Sequence, residues 1–319
     1  MTDGAFKHVY GPVHSRRLGR SLGVDLVPFK VCTYDCIYCQ LGRTTEKTLA
    51  RKEYVPTAEV VEEIGRKLSS GQRPDYISIA GSGEPTLHAG IGDVIDFIKG
   101  ATDIPVAVIT NGSLLWMPEV SRALMAADLV IPSLDAGDEQ LFRKVNRPHP
   151  GISFERIVDG IASFTKEFKG EVWLEVFLLD GLTGTLPEVK KIAALVERVA
   201  PARVQLNTVA RPTAEVYAEA VAKEEMEKLA GYFPGKVEII SEAAGCDSTT
   251  SSVAPSAEVE IAELLRRRPC TVEGIAKGLG MSPNEALKHV NSLVGRGEVV
   301  PGRVGTEFFY SMREGRERK

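Results

Sequence analysis

The chain has 319 residues, of which 43% are hydrophobic and 26% charged, with a formal net charge of −4. It exceeds one average domain and buries a large core, and its composition excludes a disordered, fibrous or membrane-embedded chain. No apolar run reaches transmembrane length, the opening MTDGAFKH lacks a signal peptide's apolar stretch, and five cysteines suit a reducing compartment, so a cytoplasmic protein is expected.

In chain order, the first predicted strand covers 22–27 and leads into Val31-Cys32-Thr33-Tyr34-Asp35-Cys36-Ile37-Tyr38-Cys39-Gln40. The C-x3-C-x2-C spacing lets one loop wrap Cys32, Cys36 and Cys39 around one metal centre. A tetrahedral zinc site wants four ligands, and no fourth Cys or His lies close by. A zinc ribbon completed by a distant ligand stays open on the residues alone, and a disulfide would strand one of the three thiols. A [4Fe–4S] cubane has four irons, so three thiolates leave one iron with the open position that a catalytic centre needs.

Helix 57–68 then precedes strand 76–80, helix 92–99 precedes strand 105–110, and helix 118–126 precedes strand 129–134. Helix 154–168, strand 172–178, helix 187–199 and strands 203–207 and 236–240 complete the series. Such alternation implies βαβ units and a parallel sheet. A barrel or part-barrel fits, with functional loops at the carboxyl ends of the strands, and a flavodoxin-like open sheet fits the periodicity too.

The motifs fall at those ends. Gly81-Ser82-Gly83-Glu84 follows strand 76–80; its glycines permit close backbone approach and Glu84 can accept from an ammonium group. Asn111-Gly112 ends the third strand and Ser133-Leu134-Asp135 the fourth, with a plain turn and a helix cap as the alternative roles. Gln205 and Asn207 hold inward positions on a late strand. Arg16, Arg17 and Lys30 read as solvated charges first, and as phosphate or carboxylate ligands second.

Past 240 the texture changes. Small polar residues around Cys246 read as a linker, followed by an amphipathic helix over 257–268 and two more over 271–279 and 282–296, around a turn at Gly280-Met281. Ser282-Pro283-Asn284-Glu285 supplies an N-cap, a first-turn proline and a capping-box glutamate. Strands 298–300 and 307–311 flank 301–306 as a hairpin, and the whole resembles a winged helix-turn-helix. The division expected is a first domain 1–242, a linker 243–256 and a tail domain 257–319. Lys288, His289 and Asn291 occupy the DNA-reading helix and Arg303 the wing tip, whereas Glu285, Glu298 and Glu307 oppose phosphate contact. From residue 256 onward 11 basic side chains stand against 9 acidic ones, so a protein partner fits as well as a nucleic acid. Cys246 and Cys270 read as inert, and the five histidines show no metal-ligand spacing.

The cysteine loop followed by Gly-Ser-Gly-Glu resembles the radical S-adenosylmethionine (SAM) superfamily. Gly11-Pro12-Val13-His14-Ser15-Arg16-Arg17-Leu18-Gly19, Leu22-Gly23-Val24-Asp25-Leu26, Gln40-Leu41-Gly42, Asn146-Arg147-Pro148 and Leu206-Asn207-Thr208 with Arg211-Pro212 are similar to its wyosine-synthase-like branch. That resemblance implies an α/β protein with a partial (β/α)6 TIM-like barrel ahead of the winged helix. It implies a [4Fe–4S] cluster on Cys32, Cys36 and Cys39, and SAM contacted by Tyr38, Ser82, Gly83, Glu84, Asn111, Ser133 and Asp135. Ser82 replaces the first glycine of the family's Gly-Gly-Glu. The reaction implied is reductive cleavage of SAM to methionine and a 5′-deoxyadenosyl radical, which abstracts hydrogen from a substrate. No side-chain acid or base is required, and the electron comes from a flavodoxin- or ferredoxin-type donor. An RNA such as tRNA, or a protein, is the substrate class the branch and the tail suggest. The wyosine synthases hold a second cluster with further cysteines, for which only Cys246 and Cys270 remain here. The alternative is an iron–sulfur redox sensor that binds DNA through its tail.

Overall fold

β-Branched runs set the frame. The computed structural model describes residues 6–240, 257–304 and 307–313, so the whole of the predicted linker 243–256, with Cys246, lies outside the described residues. A ribbon of β1 (Val9–Ser15) and antiparallel β2 (Gly19–Val24) precedes the short parallel pair β3 (Val31–Cys32) and β4 (Glu46–Lys47). Then come α1 (Thr57–Ser69), β5 (Tyr76–Ile79), α2 (Ile91–Ala101), β6 (Val106–Thr110), α3 (Pro118–Leu124) and β7 (Leu129–Pro132). The series continues with α4 (Glu139–Val145), α5 (Phe154–Glu167), β8 (Glu171–Phe177), α6 (Leu186–Val199), β9 (Arg203–Asn207), α7 (Lys223–Ala230) and β10 (Val237–Ile239).

The main sheet has the order β1-β2-β5-β6-β7-β8-β9-β10, and every pairing after β1–β2 is parallel. The order never reverses, so successive right-handed crossovers put the helices on one face. A flavodoxin-like sheet reverses at a switch point, and that alternative falls. β1 and β10 are edges, which makes this an open part-barrel of six βα repeats.

Period-two alternation sorts the side chains. Ile77, Ile79, Val106, Val108, Val130, Leu174 and Val204 are buried with apolar residues of α1, α2, α5 and α6. Each such burial contributes about 1.5–3 kcal/mol. On the other face Ala107, Leu129, Ile131 and Trp173 join Leu18 in a second apolar layer toward the amino ends of the strands. Ser78, Asn111, Ser133, Glu175 and Gln205 follow along that face toward the carboxyl ends.

Five elements have no counterpart in the sequence reading: β1, α4, α7 and the two-residue strands β3 and β4. β1 carries Gly11 and Pro12, α4 is only seven residues long, and α7 buries only Met226 and Leu229. β2 also lies earlier than predicted, because the chain leaves the sheet after Val24.

The tail builds a separate apolar cluster from α8 (Ala257–Arg267), α9 (Val272–Leu279) and α10 (Pro283–Gly295), centred on Ile261, Ile275, Ala286, Val290 and Leu293. Thr271 caps α9 by accepting from the Gly274 amide, and Ser282 caps α10 by accepting from that of Glu285. Gly280 closes α9 in the left-handed region at φ 68°. β11 (Val299–Val304) and β12 (Glu307–Met312) form the hairpin, longer than predicted, and the buried Cys270 exchanges two backbone hydrogen bonds with Tyr310. α9 packs against β1. No helix among the described residues is long and apolar enough to cross a membrane.

Candidate active site

The cysteine loop leaves the sheet beyond β2 and is held by distant backbone. The Ile37 amide donates to Val145 O (2.9 Å), the Asp35 amide to Asn146 O (3.1 Å), and the Ile37 side chain is fully buried. Each thiol meets one nitrogen donor from a different place. Asn111 Nδ2 lies 3.6 Å from Cys32 Sγ, Asn146 Nδ2 lies 3.6 Å from Cys36 Sγ, and Lys30 Nζ lies 3.0 Å from Cys39 Sγ.

Burial pushes the Cys32 thiol up to about 12, with the Glu84 carboxylate adding to the rise. Burial, then the neighbouring Cys32 and Cys39, holds Cys36 well above the ordinary thiol range. Thiolates so placed need positive charge beside them, and a bound metal centre supplies it. No group of three His, Cys, Asp or Glu among the described residues is arranged for a single ion.

The Gly-Ser-Gly-Glu loop is stitched to the cysteine loop through backbone. The Lys30 amide donates to Ser82 O (2.7 Å) and the Glu84 amide to Val31 O (3.1 Å). A Cβ on Gly83 would lie 1.8 Å from Val31 O, and one on Gly81 (φ +143°) would lie 2.5 Å from the Asp25 carboxyl carbon. Glycine is therefore required at both positions. The Ser82 amide and hydroxyl both donate to Asp25.

Glu84 is 1% exposed and accepts from Thr86 N (3.0 Å), Thr86 Oγ1 (2.6 Å), Thr110 Oγ1 (2.6 Å) and Asn111 N (2.7 Å). It ties the loop to the end of β6, and little of its acceptor capacity is left for an ammonium group. Asn111 also donates from Nδ2 to Thr33 Oγ1 (2.7 Å).

Asp135 is buried and accepts from the Tyr38 hydroxyl, Asn146 Nδ2 (2.7 Å) and the Phe177 amide (3.0 Å). Burial raises its carboxyl to about 6 against the pull of those donors. The Tyr38 ring stacks on Phe177 at 4.1 Å between centroids. Asp135 and Tyr38 thus brace the loop beside Cys36.

A cavity of about 610 Å³ opens between these loops and the tail. Cys32, Gly81, Gly83, Glu84, Asn111 and Ser133 line one side, and residues of α8, α9 and the start of α10 line the other. Of the expected contacts, Tyr38, Ser82 and Asp135 are not in this lining. Gln205 and Asn207 are buried outside it, and Asn207 Oδ1 accepts from the Thr208 amide.

Lys30 and Arg17 correct the reading as solvated charges. Lys30 is 3% exposed, and Arg17 pairs with Glu175 inside the part-barrel. Asp25 is a residue the sequence reading missed in a site role: Arg267, the last residue of α8, approaches it at 3.4 Å while its guanidinium lies over the Tyr10 ring, also at 3.4 Å. Only the Asn146-Arg147-Pro148 match pointed to Asn146. In the tail, His289 and Arg296 face Glu258, while Lys288 and Asn291 are exposed.

The family model described as the Radical SAM superfamily matches residues 26–196. A protein of Brachyspira hyodysenteriae named GTPase Obg is 41% identical over 294 residues, which are 92% of this chain and 43% of that one. No GxxxxGK[S/T] phosphate loop occurs in the present sequence. A UPF0026 protein of Methanocaldococcus jannaschii is 30% identical over 308 residues, 94% of each chain. This chain thus spans under half of the first relative and nearly all of the second.

Among solved structures, Streptococcus suis SuiB bound to precursor peptide SuiA aligns with a TM-score of 0.52 at 13% identity, over 68% of this chain and 48% of that one. A radical SAM methyltransferase from Sphaerobacter thermophilus aligns at 0.51 and 16%, over 69% and 66%. At such identities the likeness is one of fold: the open parallel sheet resembles their part-barrel.

Proposed function

The chain belongs to the radical SAM superfamily, whose members use a [4Fe–4S] cluster and SAM, and from that premise we propose that it is an enzyme holding the cluster on Cys32, Cys36 and Cys39. When bound and reduced by an external one-electron donor, the pair supplies reductive cleavage of SAM to methionine and a 5′-deoxyadenosyl radical able to remove hydrogen from a substrate. The observation that carries this reading is the backbone pairing of the cysteine loop with the Gly-Ser-Gly-Glu loop. It fixes the thiols and the glycine-lined approach for SAM as one body.

This chain's residues then have defined work. Asn111, Asn146 and Lys30 direct N–H groups at the three sulfurs, which stabilises thiolate over thiol. Gly81 and Gly83 let their loop close against Asp25 and Val31 beside the cavity that would take SAM, and Asn111 and Ser133 present polar groups along the same wall. Glu84, Asp135 and Tyr38 position rather than touch. Residues 257–319 act as a winged helix-turn-helix that walls the cavity and excludes water from it, with 1–242 as the part-barrel domain. Lys288 and Asn291 on α10 stay exposed, so SAM cleavage is what separates this reading from the sensor alternative, in which the tail would serve DNA.

The test is anaerobic. The reconstituted, dithionite-reduced protein is given SAM and 5′-deoxyadenosine is measured by mass. Product with wild type and none with Cys36→Ala is the expected result. A cluster-loaded protein that neither binds nor cleaves SAM would refute the enzyme reading.

A further inference from the structure

The cavity bears a charge opposite to that of the whole chain, whose net is −4. Arg16, Arg17 and Arg211 line it from the part-barrel and Arg267, Arg268 and Lys277 from the tail, against two carboxylates, Glu84 and Glu273. Glu84 is buried among its own donors, and Glu273 is exposed at the start of α9. Arg17 and Arg267 are matched by Glu175 and Asp25. Arg268 and Lys277 form no ion pair among the described residues. Arg17 Nη1 is buried without a hydrogen-bond partner.

Arg268 is half-buried and Lys277 exposed, and collecting cations around one cavity is unfavourable unless an anion sits between them. Guanidinium forks match the geometry of phosphate oxygens, and lysine adds a point charge. The carboxylate of SAM accounts for one negative charge, fewer than these cations can hold. A volume of about 610 Å³ falls in the range of small-molecule pockets, about 300–1,000 Å³. With the tail docked it suits SAM beside a second small molecule rather than a polymer.

We propose, resting on the radical SAM reading above, that the substrate is a small phosphate-bearing anion bound beside SAM, between the mouth of the part-barrel and the tail, with Arg268 and Lys277 holding its charge. The chamber is then shared: the part-barrel presents SAM, and the tail selects for negative charge.

The probe is inorganic pyrophosphate, titrated calorimetrically into the reconstituted, SAM-loaded full chain at constant ionic strength, with chloride as reference. Saturable binding is expected. It should weaken tenfold or more in the Arg268→Ala/Lys277→Ala double variant, while SAM affinity stays within twofold. Exposed Lys166→Ala should change nothing. Absent saturation, equal binding by the double variant, or pyrophosphate that expels SAM would overturn the proposal, the last by assigning the cations to the SAM carboxylate. Tight binding of RNA with pyrophosphate inert would overturn it in favour of a polymer. Pyrophosphate binding through Arg268 and Lys277 by a protein that never binds SAM would support the anion site and refute the radical SAM reading.

Discussion

Gly83→Ala tests the join between the two loops. The new Cβ would lie 1.8 Å from Val31 O and 2.8 Å from Val31 C, both backbone atoms that cannot swing aside. Real Cβ atoms stay beyond 3.0 Å, so the loops must part by at least 1.2 Å, the difference of those two distances. The Glu84 N to Val31 O bond, now 3.1 Å, then stretches past any hydrogen-bond distance, and the 2.7 Å bond from Lys30 N to Ser82 O is strained with it. A buried backbone group left unsatisfied costs about 1–3 kcal/mol, and overpacking adds about 1–3 kcal/mol. We expect a loss of about 2–6 kcal/mol, concentrated at the site. Urea unfolding, iron content after reconstitution and SAM affinity by equilibrium dialysis read this out together. Gly100→Ala, on α2 with nothing within 4 Å of the added atom, is the control and should be neutral or stabilising. Wild-type iron content and SAM affinity in Gly83→Ala would refute the reasoning.

Two further outcomes rest on the geometry around Arg267 and Asp135. Arg267→Ala removes a partly buried contact to Asp25 and a guanidinium from the Tyr10 ring, worth together about 2–3 kcal/mol. Hydrogen exchange of α9 amides should then accelerate tenfold or more while α2 amides keep their rates, and unchanged α9 exchange would sink the idea that Arg267 docks the tail. Asp135 titrates at about 6 in the fold against 3.8 ordinarily, so the folded state holds the proton longer than the unfolded chain. Its contribution is greatest below 3.8 and is lost as pH rises through about 6, a fall on the order of 3 kcal/mol. Asp135→Asn should flatten that segment of the stability–pH curve measured by urea unfolding between pH 4 and 7, and parallel curves would argue against it.

The sheet strands were legible because each is a short apolar run between helical periods, and Arg203–Asn207 matches to the residue. The edge ribbon was not: β1 owes its place to pairing with β2, and Gly23 leaves room there for the Tyr10 ring, whose atoms lie 2.1–2.5 Å from where a Cβ would stand. At the site the thiols and the glycine loop are local patterns and could be read. What Asp135, Tyr38 and Lys30 do depends on partners that no local spacing reveals: Asp135 meets Tyr38 from 97 positions away, and Lys30 sits at a sulfur where a surface charge was the simpler reading. Docking of the tail on the Asp25 side chain, 242 positions from Arg267, lies further still beyond local pattern.

The donors behind the thiols have a consequence for how the protein is made. Lys30 leaves the ribosome nine residues before Cys39, but Asn111 follows Cys32 by 79 residues and Asn146 follows Cys36 by 110. The loop's backbone anchors at Val145 and Asn146 are equally late. At synthesis speeds of about 5–20 residues per second, all three thiols emerge seconds before the receptacle around them exists. The set of donors around the three thiols is therefore complete only after the chain through Asn146 has been made.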